Sequence, residues 1–300
     1  MYATRIDERV RMLDTFALGQ PRTVGAYLIK GPRPALVDCG YASSFRTVLQ
    51  GLAESGVAPS DVRYIIPTHV HLDHGGAAGR LLKEMPNATV IAHERSVRHL
   101  VDPTKLVESA TKVFGKAVVD LYGVPEPVPQ ERVTATGEES SLDLGDGLTA
   151  TIMHAPGHAP HQVSVLLDRP RAVITADAVG IVYPGMKSMI PTTPPPSLNP
   201  SELEASVRKL EQTAPSKLLV PHYGERDDAE WVFASTVDKV RDWVESVRSM
   251  KNKGSSLDEA ALAMERRVST ETGLPSLPPY AKVSIRTSVM GIMDYLDRNA

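Results

Sequence analysis

Three features of the sequence predict an α/β fold in which two sheets lie sandwiched between helices, with a helical extension behind them. Strand signals recur every 8 to 12 residues with amphipathic helices among them. This strand–helix series runs twice, and from Asp227 onward only helical signals remain. Several strands also end on His or Asp, where layered α/β folds place binding residues.

Taken in order, Val10 to Leu18 and Thr23 to Lys30 read as strands, with Gly-Pro-Arg-Pro at 31–34 turning the chain between Lys30 and Ala35. Ala35 to Val37 is a strand ending on Asp38. Ser43 or Ser44 caps a helix with Val48, Leu49 and Leu52 inward. Val62 to Ile66 is a β-branched buried run. A helix follows from Gly75 through Leu81, Leu82 and Met85, and Thr89 to Ala92 is the next strand. Residues 104–122 place Leu106, Val107, Ala110, Val113, Phe114, Ala117, Val118 and Leu121 on one broad apolar face, which predicts a single helix. That helix interrupts the alternation as an insertion (about 101–124), a cover for a site or a plain core helix. Leu142–Asp146, Leu148–His154, Val163–Leu167 and Ala172–Ala176 read as strands. Residues 184–200 hold six prolines and form neither helix nor central strand. Ser201 caps a helix to about Gln212, and Leu218 to Val220 is a last strand. Helices over 229–250, from a Ser256/Glu259 capping box, and over 281–297 complete the chain. The domain expectation is therefore 1–225 for the site-bearing part and 226–300 for a helical C-terminal extension.

Composition narrows the function classes. The 300 residues carry 33 basic and 36 acidic side chains, a net charge of -3, so no global field favours nucleic acid or anionic membranes. Apolar runs are too short to span a bilayer, and the N-terminus lacks an apolar signal core. Cys39 is the single cysteine, which excludes a disulfide framework and cysteine-rich metal sites and fits a reducing cytoplasm. The expected location is cytoplasmic.

Thr68-His-Val-His-Leu-Asp-His-Gly-Gly places His69, His71, Asp73 and His74 within six positions. Three imidazoles and a carboxylate at that spacing suit a divalent metal better than a solvated His-rich loop. His158 in Ala-Pro-Gly-His, Asp177 and His222 each follow a strand and are metal-competent.

In these motifs the chain resembles the metallo-β-lactamase superfamily, in its hydrolase branch with two metal ions, over roughly residues 10 to 225. The resemblance implies a four-layer αββα sandwich with the site along one edge of the sheets. It implies that His69, His71 and His158 bind the first metal, that Asp73, His74 and His222 bind the second, and that Asp177 bridges both. Asp38 matches the family's first acidic motif, which supports the site from behind the ligands. His161 resembles the last histidine of the Pro-Gly-His-x-x-x-His strings of the lactonase and glyoxalase II branches and takes a similar supporting place.

Such a donor set can hold two borderline cations about 3.5–4 Å apart with a bridging hydroxide as nucleophile. Two divalent ions are expected, zinc first, with iron, manganese or cobalt also compatible with His and Asp ligands. Asp73 is a candidate proton relay, and Tyr183, six residues past Asp177, a candidate donor to a developing oxyanion. His93 and His99 read as structural and Tyr223 as packing, while Met186, Met189 and Ile190 line a pocket or a rigid loop.

Glyoxalase II, acyl-homoserine lactonases and the quinolone-signal-response thioesterase all look similar here, the last being nearest in layout. The expected activity is therefore metal-dependent hydrolysis of a small ester, lactone or thioester. Phosphodiester or β-lactam hydrolysis, iron-dependent persulfide dioxygenation and a non-catalytic metal sensor remain the alternatives. The partner expected is a small acyl substrate, with neither nucleic acid nor membrane. Trp231, Val232, Val237, Val240, Trp243 and Val244 give the tail an apolar face, fit for a homodimer surface as much as a lid.

Overall fold

The computed structural model describes residues 1–299. By contact it forms two compact units. The first is Met1–His154, His161–Ala176 and Pro215–Asp227; the second is Ala155–Pro160, Asp177–Ala214 and Asp228–Ala300.

The first unit holds both sheets. Its first sheet, seven-stranded among the described residues, keeps sequence order from edge to edge. Strands β1 (Ala3–Arg5), β2 (Val10–Asp14), β3 (Gly25–Ile29) and β4 (Ala35–Val37) are antiparallel neighbours. Pairing then turns parallel, so each step requires a crossover. Helix α1 (Phe45–Glu54) leads to β5 (Tyr64–Ile66). Helices α2 (Leu72–Gly75) and α3 (Ala78–Glu84) lead to β6 (Thr89–His93). Helices α4 (Glu94–Val101), α5 (Thr104–Phe114) and α6 (Lys116–Tyr122) lead to β7 (Val133–Thr136).

The second sheet, six-stranded among the described residues, begins as a meander of β8 (Glu139–Gly145), β9 (Leu148–His154), β10 (Val163–Leu167) and β11 (Ala172–Ile174). Beyond α7 (Pro200–Gln212), β12 (Lys217–Val220) pairs parallel to β11 and turns back as β13 (Gly224–Arg226).

Alternation along the strands explains the layers, because successive side chains point to opposite faces. Leu28, Leu36, Ile65 and Val90 meet Val48 and Leu52 of α1 and Leu81 and Leu82 of α3. Their neighbours Tyr27, Ile29, Val37, Ile66 and Ile91 face the other way. There they meet Ile152, Val163, Val165, Ile174 and Leu219 of the second sheet. Burying each such side chain stabilises the fold by about 1.5–3 kcal/mol.

In the second unit, α8 (Ala229–Asn252), α9 (Leu257–Thr272) and α10 (Pro279–Arg298) pack on one another, and α7 packs on α8. Helix α8 buries Val232, Phe233, Thr236, Val240, Trp243, Val244 and Val247, a helical stripe. Four of the six residues proposed for a lid or dimer face are thus spent inside the unit; Trp231 stays exposed. The Ser256 capping box forms as expected, with Ser256 N–H donating to Glu259 at 2.8 Å and Glu259 N–H returning to Ser256 Oγ at 3.3 Å. The proline-rich segment makes no ladder among its described residues beyond one bridge, Ile181 to Ile190.

The structure corrects four local expectations. Residues 104–122 are two helices, because Gly115 takes φ 83 and closes α5 before α6 begins. Ser44 stands at the start of α1 without a side-chain capping bond. Helix α7 is capped by Asn199 rather than Ser201, with Pro200 in the first helical position that its fixed φ suits. The chain continues past Val220 into β13, a short strand with too little apolar pattern to be read.

Candidate metal centre

Asp38 organises the first unit's donors. It ends β4 with φ 60, a left-handed conformation that Asp tolerates better than most residues. Fully buried, it accepts the Thr68 N–H and the Thr68 hydroxyl on Oδ1, each at 2.8 Å. Its Oδ2 lies 2.9 Å from His74 Nδ1. A carboxylate there only accepts, so His74 carries its proton on Nδ1 and presents a lone pair at Nε2. The Thr68 hydroxyl proton is engaged by Asp38, so its oxygen accepts from His69 Nδ1 at 3.2 Å. His69 then also presents Nε2. One buried carboxylate sets the tautomer of two imidazoles.

The donors follow β5 on the turn into α2. Nε2 of His69 lies 2.9 Å from Nδ1 of His71. Oδ2 of Asp73 lies 3.6 Å from His74 Nε2 and 3.7 Å from His222 Nε2. Asp73, His74 and His222 each offer an atom within 4.8 Å of the others. Donors each about 2.0–2.2 Å from one tetrahedral ion sit about 3.3–3.6 Å apart, so these three fit a shared divalent cation. His161, buried, stacks 6.4 Å from His69 and meets His71 edge-on at 6.4 Å, a supporting rather than converging distance.

The second unit carries the other two expected ligands. His158 follows Gly157, whose φ of +123 and the Leu203 backbone 2.2 Å from where a Cβ would stand admit glycine alone. His158 Nδ1 donates to the Thr192 carbonyl at 2.9 Å, which leaves Nε2 as the donor atom. That Nε2 is 3.4 Å from Oδ2 of Asp177, again the spacing of two atoms on one ion. Thr192 also donates its hydroxyl to the Asp177 carbonyl at 2.8 Å. Tyr183 is buried, with its hydroxyl 2.9 Å from Ser284 Oγ and its ring edge-on to Tyr280.

The other sequence candidates have partners of their own. His93 caps α4, accepting the Arg95 N–H on Nδ1 at 3.3 Å, and stacks on His154 at 4.0 Å. Burial, then the neighbouring His154 and Arg95, lower its pKa. His99 is lowered by burial and then by Arg98. The Tyr223 hydroxyl reaches Asp14 at 3.3 Å. Beside the motif, Leu72, Val119 and Tyr122 form an apolar cluster with Tyr41, Leu106, Val107, Ala110, Phe114 and Val118. Tyr41 and Tyr122 stack at 4.3 Å. Burial, and next the Asp73 carboxylate, push the Tyr122 phenol up.

Two contributors escape sequence reading. Thr68 stands inside the motif, and its hydroxyl is the one signal available. Thr192 acts through a backbone carbonyl 34 positions from His158, which no side-chain pattern marks.

The family model of the metallo-beta-lactamase superfamily matches residues 19–222, and the chain belongs to that superfamily. A metallo-beta-lactamase fold-containing protein, ST1585, of Sulfurisphaera tokodaii is 33% identical over 151 residues, 49% of this chain and 56% of that protein. The chain thus spans little more than half of that relative. An N-acyl homoserine lactonase, AttM, of Azorhizobium caulinodans is 32% identical over 41% of this chain and 43% of its own. The crystal structure of ST1585 superposes with a TM-score of 0.63 at 26% identity, covering 73% of this chain and 81% of that one. The α/β sandwich with helical C-terminal extension is the fold of this chain, and its His and Asp clusters are able to bind metal.

Proposed function

We propose that this chain is a hydrolase with two divalent metal ions, acting on a small acyl ester, lactone or thioester in the cytoplasm. The observation that carries this reading is the control of ring nitrogens. His69, His74 and His158 each have Nδ1 tied to an acceptor, so Nε2 is left as donor. Ordinary surface histidines are not held so; metal-ligating ones are. In this reading His69, His71 and His158 hold one ion, Asp73, His74 and His222 the other, and Asp177 both. His161 supports the ring of His69.

When bound, such ions polarise the scissile carbonyl and activate water near neutral pH. The chain's own groups do the rest. Asp73 takes or relays a proton, and Asp38 holds the imidazoles in the tautomer that presents Nε2. Tyr183, whose hydroxyl donates to Ser284 while Ser284 donates to the Tyr280 carbonyl, serves the oxygen that gains charge only if it turns its proton from Ser284. Zinc suits the cysteine-free His and Asp set first. The apolar Tyr41–Tyr122–Phe114 wall beside Asp73 supports an acyl substrate over a phosphodiester. So does the likeness to a lactonase. No helix of the described residues is long and apolar enough to cross a membrane.

Metal analysis of the purified protein, with a panel of lactones, thioesters and phosphodiesters, tests the proposal. Two ions per chain and turnover of acyl substrates are expected, with both depressed in Asp177→Asn. Fewer than two ions, with Asp177→Asn as active as the parent, overturns the dinuclear reading. Metal uptake without turnover points to a sensor, and oxygen uptake with glutathione persulfide to a dioxygenase.

A further inference from the structure

We infer that Tyr27 is a positioning residue for His222, and that its hydroxyl holds the three donors of the second ion in register across the two sheets. The inference rests on the metal reading above. Asp73 and His74 follow β5 in the first sheet, whereas His222 follows β12 in the second. Donors from different sheets converge only if something fixes one sheet's turn against the other sheet.

Tyr27 lies on β3, fully buried in the core between the sheets. Its hydroxyl is 2.8 Å from the Val220 carbonyl and 2.9 Å from the Gly224 carbonyl. Val220 and Gly224 are the closing pair of the β12–β13 hairpin, and the turn between them is Pro221-His222-Tyr223. A phenol has one proton, which it gives to one carbonyl or shares between two. Shared, that proton ties both ends of the ligand-bearing turn to one atom of the first sheet; given to one carbonyl, it ties that end. Burial pushes this phenol well up, so it stays a donor.

Two further contacts point the same way. Gly25, on the same strand, donates its N–H to the Pro221 carbonyl at 2.8 Å. Tyr223, next to the ligand, reaches Asp14 of β2 at 3.3 Å. The turn is therefore anchored to β2 and β3, on the far side of β4 from the strand that delivers Asp73. Core packing alone needs only the ring of Tyr27; the hydroxyl has no task there except the turn.

Tyr27→Phe keeps the ring and removes the hydroxyl. The probe is zinc, titrated into metal-free protein against a chromophoric chelator, with the visible spectrum of the cobalt-substituted protein as a second readout. Loss of such a supporting contact lowers metal affinity about 10–100-fold. The expected result is that drop for the second equivalent, an unchanged first, and a cobalt spectrum that loses one component. Tyr223→Phe should show a smaller loss, confined to the same ion. Equal weakening of both ions together with a lower apo-protein Tm assigns Tyr27 to the core alone and overturns the inference, as does parent-like binding of both. A parent protein that takes up fewer than two ions overturns the metal reading itself, which separates the two failures.

Discussion

Oδ2 of Asp38 accepts the Nδ1 proton of His74 at 2.9 Å, with both side chains fully buried. The other oxygen of Asp38 takes both protons that Thr68 can offer. Both oxygens of this group are engaged: it fixes a strand end, a hydroxyl and, through that hydroxyl, a second imidazole. A buried charge is costly unless it is hydrogen-bonded, and both oxygens here are.

Asp38→Asn should therefore damage the centre without touching a ligand. The amide has one accepting oxygen, so its NH2 faces either the Thr68 pair or His74 Nδ1. If it faces His74, the ring must flip its proton to Nε2 and lose its donor lone pair. Metal affinity should fall about 10–100-fold. A frustrated buried donor should also cost about 1–3 kcal/mol of stability. Chelator competition measures the first and denaturant unfolding of metal-free protein the second. Unchanged affinity at lowered stability would restrict Asp38 to holding the strand end.

How much of this was legible beforehand divides by physical origin. Strands whose pattern alternates between two apolar faces, such as Ala35–Val37 and Val163–Leu167, coincide with observed elements. Periodicity and local turn chemistry decide them. The candidate donors are legible because metal chemistry needs scarce residue types at strand ends. The tautomer control is not, because it runs through a carbonyl of Thr192 and a hydroxyl of Thr68, groups present everywhere in any chain. The break at Gly115 was misread for a different reason. Its neighbours keep helical spacing on both sides, and a glycine within such a pattern reads as tolerated until its φ of 83 is seen. Tyr27 falls within a strand of the sequence pattern, and only the position of its hydroxyl distinguishes it from any core aromatic.

The stacked His93–His154 pair makes stability depend on pH. Burial, then His154, lower the His93 pKa below its usual 6.5. The folded state thus binds a proton less readily than the unfolded chain, so stability rises with pH across the window just below 6.5. The contribution is complete above the unfolded value and is lost as pH falls toward the folded one. His93→Asn keeps a good cap for α4 and cannot titrate. Thermal unfolding of metal-free protein between pH 5 and 7.5 should show a steeper fall in Tm for the parent than for the variant. Parallel curves would remove His93 from the pH response.

The last expectation concerns the substrate. Leu72, in the apolar cluster, is the residue before Asp73, so the wall built by α5 and α6 begins where the donors do. Phe114, half-buried, lies edge-on to Tyr122 at 5.8 Å, and α5 buries none of its residues fully. An apolar helix face left half open beside donors fits an apolar acyl group better than a charged one. Phe114→Ala should therefore discriminate by chain length. For an octanoyl ester kcat/KM should drop about tenfold, the loss of about 1.4 kcal/mol of binding, mostly through KM. For an acetyl ester, too short to reach the wall, it should stay within about twofold. Metal content should not change, because Phe114 touches no donor's hydrogen-bond partner among the described contacts. Steady-state kinetics on the two esters decides the matter: an equal loss on both would make the wall a structural brace for α6, and no loss on either would move the acyl group elsewhere.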